Sequence, residues 1–173
     1  MKVLHTPISD EVISGLNTGE AVNITGKIYT ARDAAHKKIA ELIEAGEKLP
    51  FDFNGQAVFY VGPSPAKPPR PIGCIGPTTS GRMDRYSPLF ISKGLKIMIG
   101  KGNRSTEVID AIVKHKGLYL AAIGGVAALM AKTVKSARVI AFEELGTEAV
   151  MELEVENFPA IVAIDCSGRN LYG

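Results

Sequence analysis

Apolar residues recur along the chain with two periods, and each period marks one kind of element. From Ala21 to Tyr29 (AVNITGKIY) apolar and polar positions alternate, which predicts a strand with Gly26 as a candidate bulge. From Ala31 to Ala45 the period lengthens: Ala31, Ala35, Ile39, Leu42 and Ile43 fall on one face at helical spacing. Thr30 is the candidate N-cap of that helix, with Asp33 three residues on, and Gly46 is the candidate stop. Gln56 to Val61 (QAVFYV) and Lys96 to Ile99 (KIMI) read as strands. Thr106 to His115 reads as a helix with Val108, Ile109, Ile112 and Val113 apolar. A strand follows at Leu118 to Ile123, a short helix at Val126 to Lys132 and a strand at Ala137 to Phe142. Glu148 to Val155 alternates over part of its length, as a half-exposed strand would. Ala160 to Asp165 (AIVAID) reads as a buried strand closed by a Ser167-Gly168 turn.

Strands and helices are thus mixed throughout, which predicts a compact α/β layered domain with a mixed sheet. Its 173 residues suit one domain, residues 1 to 173. No internal repeat interrupts the pattern. The one linker-like stretch is GPSPAKPPRPIG, Gly62 to Gly73, whose prolines exclude helix and central strand and predict an ordered or semi-rigid surface loop.

Composition narrows the picture further. Hydrophobic residues make up 46% of the chain, enough for a substantial core. Aromatics are only 6% and Trp is absent, so the core is expected to be aliphatic. Net charge is +2, and no basic run or basic-aromatic stripe points to nucleic acid. MKVLHTPISDEV lacks the apolar core of a signal peptide, and the apolar stretch Leu118 to Ala131 is broken by Gly124 and Gly125 and too short to span a bilayer. Asn23-Ile24-Thr25 and Asn103-Arg104-Ser105 match the glycosylation pattern and are read as coincidence. A cytoplasmic protein with reduced thiols and no membrane partner is expected. The two cysteines, Cys74 and Cys166, are too few for a disulfide framework or for a metal or cluster site within this chain.

Three polar loops stand out against this background. Gly76-Pro77-Thr78-Thr79-Ser80-Gly81-Arg82 combines glycines, hydroxyls and a guanidinium, the parts of an anion cradle. Its Gly-x-x-x-x-Gly spacing imitates a nucleotide-binding P-loop, but Arg82 and Met83 stand where that motif needs Lys and then Ser or Thr. The plain alternative is a tight turn with a surface arginine. Gly100-Lys101-Gly102-Asn103-Arg104-Ser105 follows a strand and opens a helix. Acidic residues normally favour a helix start, so Lys101 and Arg104 imply a negative ligand, acidic groups from elsewhere, or simply two solvated charges. In Thr30-Ala31-Arg32-Asp33-Ala34-Ala35-His36, Arg32 and His36 lie one turn apart on a face adjoining the apolar stripe. Ordinary surface pairs, Asp33 with Lys37 and Arg32 with His36, are the alternative there. His5 and His115 have no supporting neighbours and read as structural, and Cys74 has no evident base beside it.

Taken in order, these three motifs, with Met83-Asp84 extending the second, resemble the β subunit of class I fumarate hydratase, equivalent to the C-terminal domain of single-chain members. The β subunit of L-tartrate dehydratase is similar. The resemblance runs from Leu4-His5-Thr6-Pro7 to Phe158-Pro159-Ala160 and the closing Asp165 hairpin. It implies a swivelling β/β/α domain and reversible hydration of fumarate to (S)-malate. It also implies a partner, a fumarase α subunit that carries a 4Fe-4S cluster on three cysteines, whose open iron binds the substrate hydroxyl and one carboxylate. Under the same resemblance Thr78 handles the proton beside the carboxylate, Arg82 grips a carboxylate, and Lys101 and Arg32 complete the dicarboxylate site. Thr79, Gly81, Gly102, Asn103, Arg104 and His36 are candidates for supporting it. Cys74 stands where a small residue such as Ser is expected. Tartrate dehydration on the same loops is the near alternative, and a non-catalytic anion- or nucleotide-binding module the remote one.

Overall fold

β2 (Ala21–Thr30) is the longest of five parallel strands in the computed structural model, which describes residues 1–123 and 127–173. Along one edge it pairs with β1 (Lys2–His5) and then β3 (Ala57–Phe59). β4 (Ile97–Gly100) and β5 (Leu118–Ala122) continue the parallel series. Its other edge is antiparallel to β7 (Val150–Ile164), which also pairs with β5 and with β6 (Val134–Ala141). The pairings therefore form a closed circuit, from β2 through β3, β4, β5 and β7 back to β2. The result is a mixed sheet with flanking helices, as the interleaved pattern predicts.

Alternation along each strand divides the core in two. Ala57, Phe59 and Val61, Ile97 and Ile99, and Leu118 and Leu120 pack with Ile24, Ile28, Leu153 and Val162 inside the circuit. Val58, Tyr60, Met98 and Tyr119, at the intervening positions, pack outward against helices. Both faces are dry, which is why the parallel strands read as nearly unbroken apolar runs. The outer layer contains α2 (Asp33–Glu44), α3 (Ser87–Ser92) and α4 (Thr106–His115), which bury Ala35 and Ile39, Phe90, and Val108 and Ile112. The expectation of an aliphatic core holds better inside the circuit, where Phe59 and Phe158 are the aromatic exceptions, than outside it. Few aromatics are present, but the largest fully buried side chains include Tyr60, Tyr119, Phe53 and Phe90, concentrated in the outer layer.

Several boundaries differ from the sequence pattern. Thr30 does not cap the following helix: it ends β2, buried, with its hydroxyl accepting from Met151 N at 3.1 Å. Pairing with β3 and β7 holds it in the sheet, and α2 begins three residues later, where the Ala34 N–H donates to the Glu148 carboxylate. The two strands predicted at Glu148 to Val155 and Ala160 to Asp165 are one, β7. Pairing with β2 carries the chain through Phe158 and Pro159, and between Ile24–Phe158 and Gly26–Val155 β7 has one residue more than β2, a bulge on β7 that includes Asn157, with φ 56°. The irregularity falls beside Gly26, the predicted position, but the extra residue belongs to the partner strand. Gly26 has φ +121°, and a Cβ there would meet the Thr6 hydroxyl and backbone.

β6 starts at Val134, before the predicted Ala137. The short helix is α5 (Ala127–Lys132); its predicted first residue, Val126, lies outside the described residues. β1, α1 (Asp10–Ser14) and α3 were not predicted, each being only four to six residues long. Gly62 to Gly73 is a surface loop as predicted, anchored by buried Pro63 and Ile72 and closed where Cys74 N donates to Ser64 Oγ at 2.6 Å.

Candidate active site

β2, β3 and β4 are neighbours and parallel, so their carboxyl ends lie side by side. In open α/β sheets that edge is where ligands bind, because loops and helix starts converge there. The three polar loops all leave from it: Ala31-Arg32 after β2, the chain to Thr78–Arg82 after β3, and Lys101–Ser105 after β4. Their contacts are direct. Thr79 and Lys101 form a parallel bridge, and Ser80 N donates to Lys101 O at 2.9 Å. Thr78 N donates to Tyr60 O at 2.7 Å. Arg82 reaches the start of α2, with both Nε and Nη2 2.9 Å from Asp33 Oδ2.

Buried polar groups lock the second and third loops together. Tyr119, on β5, donates its hydroxyl to Gly102 O at 2.8 Å, so Ser80 Oγ, 2.7 Å away, must donate to Tyr119. Ser80 crosses directly over Gly100, where a Cβ would overlap its hydroxyl and come within 2.9 Å of the Tyr60 ring. Glycine is therefore required at Gly100 by space and at Gly102 by its φ of +85°. At Gly81 a Cβ would meet nothing within 4 Å among the described residues, so crowding by them does not demand a glycine there.

Arg104 turns away from solvent. Its side chain is 0% exposed, with Nε 2.7 Å from Asp84 Oδ1 and Nη2 on Tyr60 OH and Ser87 Oγ. Tyr60 and Tyr119 also cover the guanidinium with their rings. The second Asp84 oxygen accepts from Ser105 N at 2.7 Å. Burial opposes the charge, yet Tyr60, Asp84 and Tyr119 raise the Arg104 pKa above its ordinary value. Of the explanations open for Arg104 in the sequence, an acidic group from elsewhere is the one realised. Asp84 lies within the second motif string, but with Arg82 and Arg85 beside it in sequence nothing marks Arg104, 20 residues on, as its partner.

His36 is buried, stacked on Phe90 at 5.0 Å, with Nδ1–H donating to Arg32 O at 2.8 Å. Burial pushes its pKa down to about 4, so the ring is neutral at neutral pH. It contributes packing beneath the first loop rather than charge. The surface pair Asp33 with Lys37 is not formed; Asp33 pairs with Arg82. Arg32 packs its side chain over Gly62, while its Nε and Asp33 Oδ1 are buried without hydrogen-bond partners and lie 3.9 Å apart. Lys101, Arg82 and Thr79 are exposed, Thr78 half-buried. Asn103 Oδ1 caps its own loop by accepting from Arg104 N and Asn170 Nδ2.

Among the described residues no group of three His, Cys, Asp or Glu could hold a metal ion, and Cys74 and Cys166 are both free. The donor set of this chain does not fit an iron–sulfur cluster. Also among the described residues, no helix is long and apolar enough to cross a membrane.

Three loops that meet at the carboxyl ends of parallel strands, with Arg82 and Lys101 exposed, define an α/β domain with one candidate ligand edge. The comparisons specify which. Residues 2–173 match the family model described as Fumarase C-terminus, and the chain belongs to that family. It is 44% identical over 153 residues to the anaerobic class I fumarate hydratase of Escherichia coli K12, and 44% identical over 162 residues to fumarate hydratase 2 of Leishmania major. These alignments cover 87% and 92% of this chain but only 28% of each relative. The chain thus spans less than a third of the fumarate hydratases it matches. A putative L(+)-tartrate dehydratase subunit beta from Methanocaldococcus jannaschii is 42% identical over 178 residues, covering 99% of this chain and 91% of that protein.

Proposed function

We propose that this chain is the β subunit of an iron–sulfur hydro-lyase, supplying carboxylate-binding and proton-transfer groups for the reversible hydration of fumarate to (S)-malate. Residues 1–173 form the swivelling β/β/α unit, and a separate α subunit carries the 4Fe-4S cluster. The observation that carries this reading is the convergence of Arg32, Thr78, Arg82 and Lys101 on adjacent carboxyl strand ends, held by the Thr79–Lys101 bridge and the Arg82–Asp33 pair. Coverage supports the split: the fumarate hydratases extend far beyond this domain, whereas the tartrate dehydratase relative ends with it.

A four-carbon dicarboxylate leaves water only when its charges meet fixed, hydrogen-bonded cations. Arg82 offers a planar fork to one carboxylate and Lys101 a compact charge. Removing a proton beside a carboxylate builds charge on that group, and a well-placed donor stabilises it by about 3–4 kcal/mol. Thr78 lies four residues before Arg82 and next to Thr79, which bridges to Lys101, and moves the proton only with a partner acid or base biasing its hydroxyl.

The test is anaerobic reconstitution with a cluster-bearing α chain, followed by a panel of fumarate, malate and L-tartrate. The β chain alone should be inert and the pair should hydrate fumarate. Turnover of tartrate alone would move the assignment to the dehydratase, and turnover of no diacid would overturn it.

A further inference from the structure

We propose that Asp33 is a positioning residue that aims Arg82 at the substrate and brackets it with Arg32; the inference rests on the reading of Arg82 as a carboxylate clamp. Arg82 lies on a short 3-10 turn, Ser80–Met83, with its side chain 51% exposed. Nothing in such a turn fixes a long side chain. Asp33 does so from another element, 49 residues away, by accepting from Nε and Nη2 through one oxygen. This holds the inner edge of the guanidinium. The outer edge, formed by Nη1 and the second Nη2 hydrogen, is left pointing away, with the geometry that receives a carboxylate.

An acidic residue in the first helical turn has an ordinary explanation in the helix dipole. That explanation does not account for the other oxygen. Asp33 Oδ1 is buried with no hydrogen-bond partner, and so is Arg32 Nε, and they lie 3.9 Å apart. One carboxylate therefore stands between two guanidiniums, bonded to the first and just short of the second. A small side-chain shift closes the second link and ties the loop after β2 to the loop after β3.

The experiment is a double-mutant cycle in the reconstituted enzyme, with Asp33→Asn, Asp33→Glu, Arg82→Lys and the combined Asp33→Asn/Arg82→Lys variants. Asp33→Asn should lower kcat/KM for fumarate at least tenfold, with the same division between kcat and KM as Arg82→Lys and an unchanged Tm. In the Arg82→Lys background the Asn substitution should cost less than twofold, and Asp33→Glu should recover part of the loss. Full additivity, or a normal Asp33→Asn enzyme beside a damaged Arg82→Lys enzyme, overturns this inference and leaves the clamp reading intact. A normal Arg82→Lys enzyme instead removes the clamp. Should Asp33→Asn unfold, the Arg82 Nε–H exchange rate by NMR decides between wild type and Asp33→Glu: slow exchange in both supports the tether, and fast exchange in wild type overturns it.

Discussion

The Ser80 hydroxyl donates to the Tyr119 hydroxyl across 2.7 Å, linking the loop after β3 to a strand two places along the sheet. Tyr119 passes the chain of hydrogen bonds on to Gly102 O in the loop after β4. Tyr119→Phe keeps the ring and removes both bonds, leaving the buried Ser80 hydroxyl and the partly buried Gly102 carbonyl without this partner. It should cost about 1–3 kcal/mol in urea unfolding and slow turnover by loosening the two loops. Unchanged stability would show that water replaces the hydroxyl without loss.

Arg82→Lys keeps a positive charge but loses the fork. Turnover of the reconstituted enzyme should fall roughly 100-fold or more, in line with one well-aimed donor, while Tm stays close to wild type because Arg82 is half exposed. Steady-state kinetics beside thermal melts checks both halves.

Thr78→Ala should be nearly silent in stability, since the Thr78 contact to Tyr60 O runs through backbone N–H. The rate should collapse if the hydroxyl handles the proton. A retained rate would assign that proton to another group.

His36 predicts a pH dependence. Its folded pKa is lowered to about 4 from an ordinary 6.5, chiefly by burial, so the unfolded chain binds the proton more readily. Stability is therefore full above about 6.5 and declines as pH falls toward 4, by up to about 3 kcal/mol. His36→Phe should flatten that part of the curve. Denaturant titrations between these limits measure it.

The sequence made some levels of this architecture legible and hid others. β3, β4 and β5 were clear because both faces of each strand are buried, leaving apolar runs between polar loops. The helix Thr106–His115 was clear because Val108, Ile109, Ile112 and Val113 recur at helical spacing; the structure adds a cap the pattern did not name, Ser105 accepting from Val108 N. Thr30 misled because a threonine before a helix pattern looks like a cap, whereas here strand pairing on both edges outweighs that preference. β7 was split because Asn157 and Pro159 resemble a turn, whereas a one-residue bulge of β7 opposite Thr25 lets pairing with β2 continue. The three site loops were visible as composition. The Asp33–Arg82 and Asp84–Arg104 pairs join distant positions, and no local pattern carries such partnerships.

β7 contributes none of the four groups proposed to meet substrate, yet it bonds to three strands and returns the circuit to β2. Arg32, Thr78, Arg82 and Lys101 all precede it in the chain. A shortened gene product ending before Val150 would keep all four of these residues and lose the frame that aligns them. In surveying genomes for members of this family, an intact final strand is therefore as informative as the signature residues themselves.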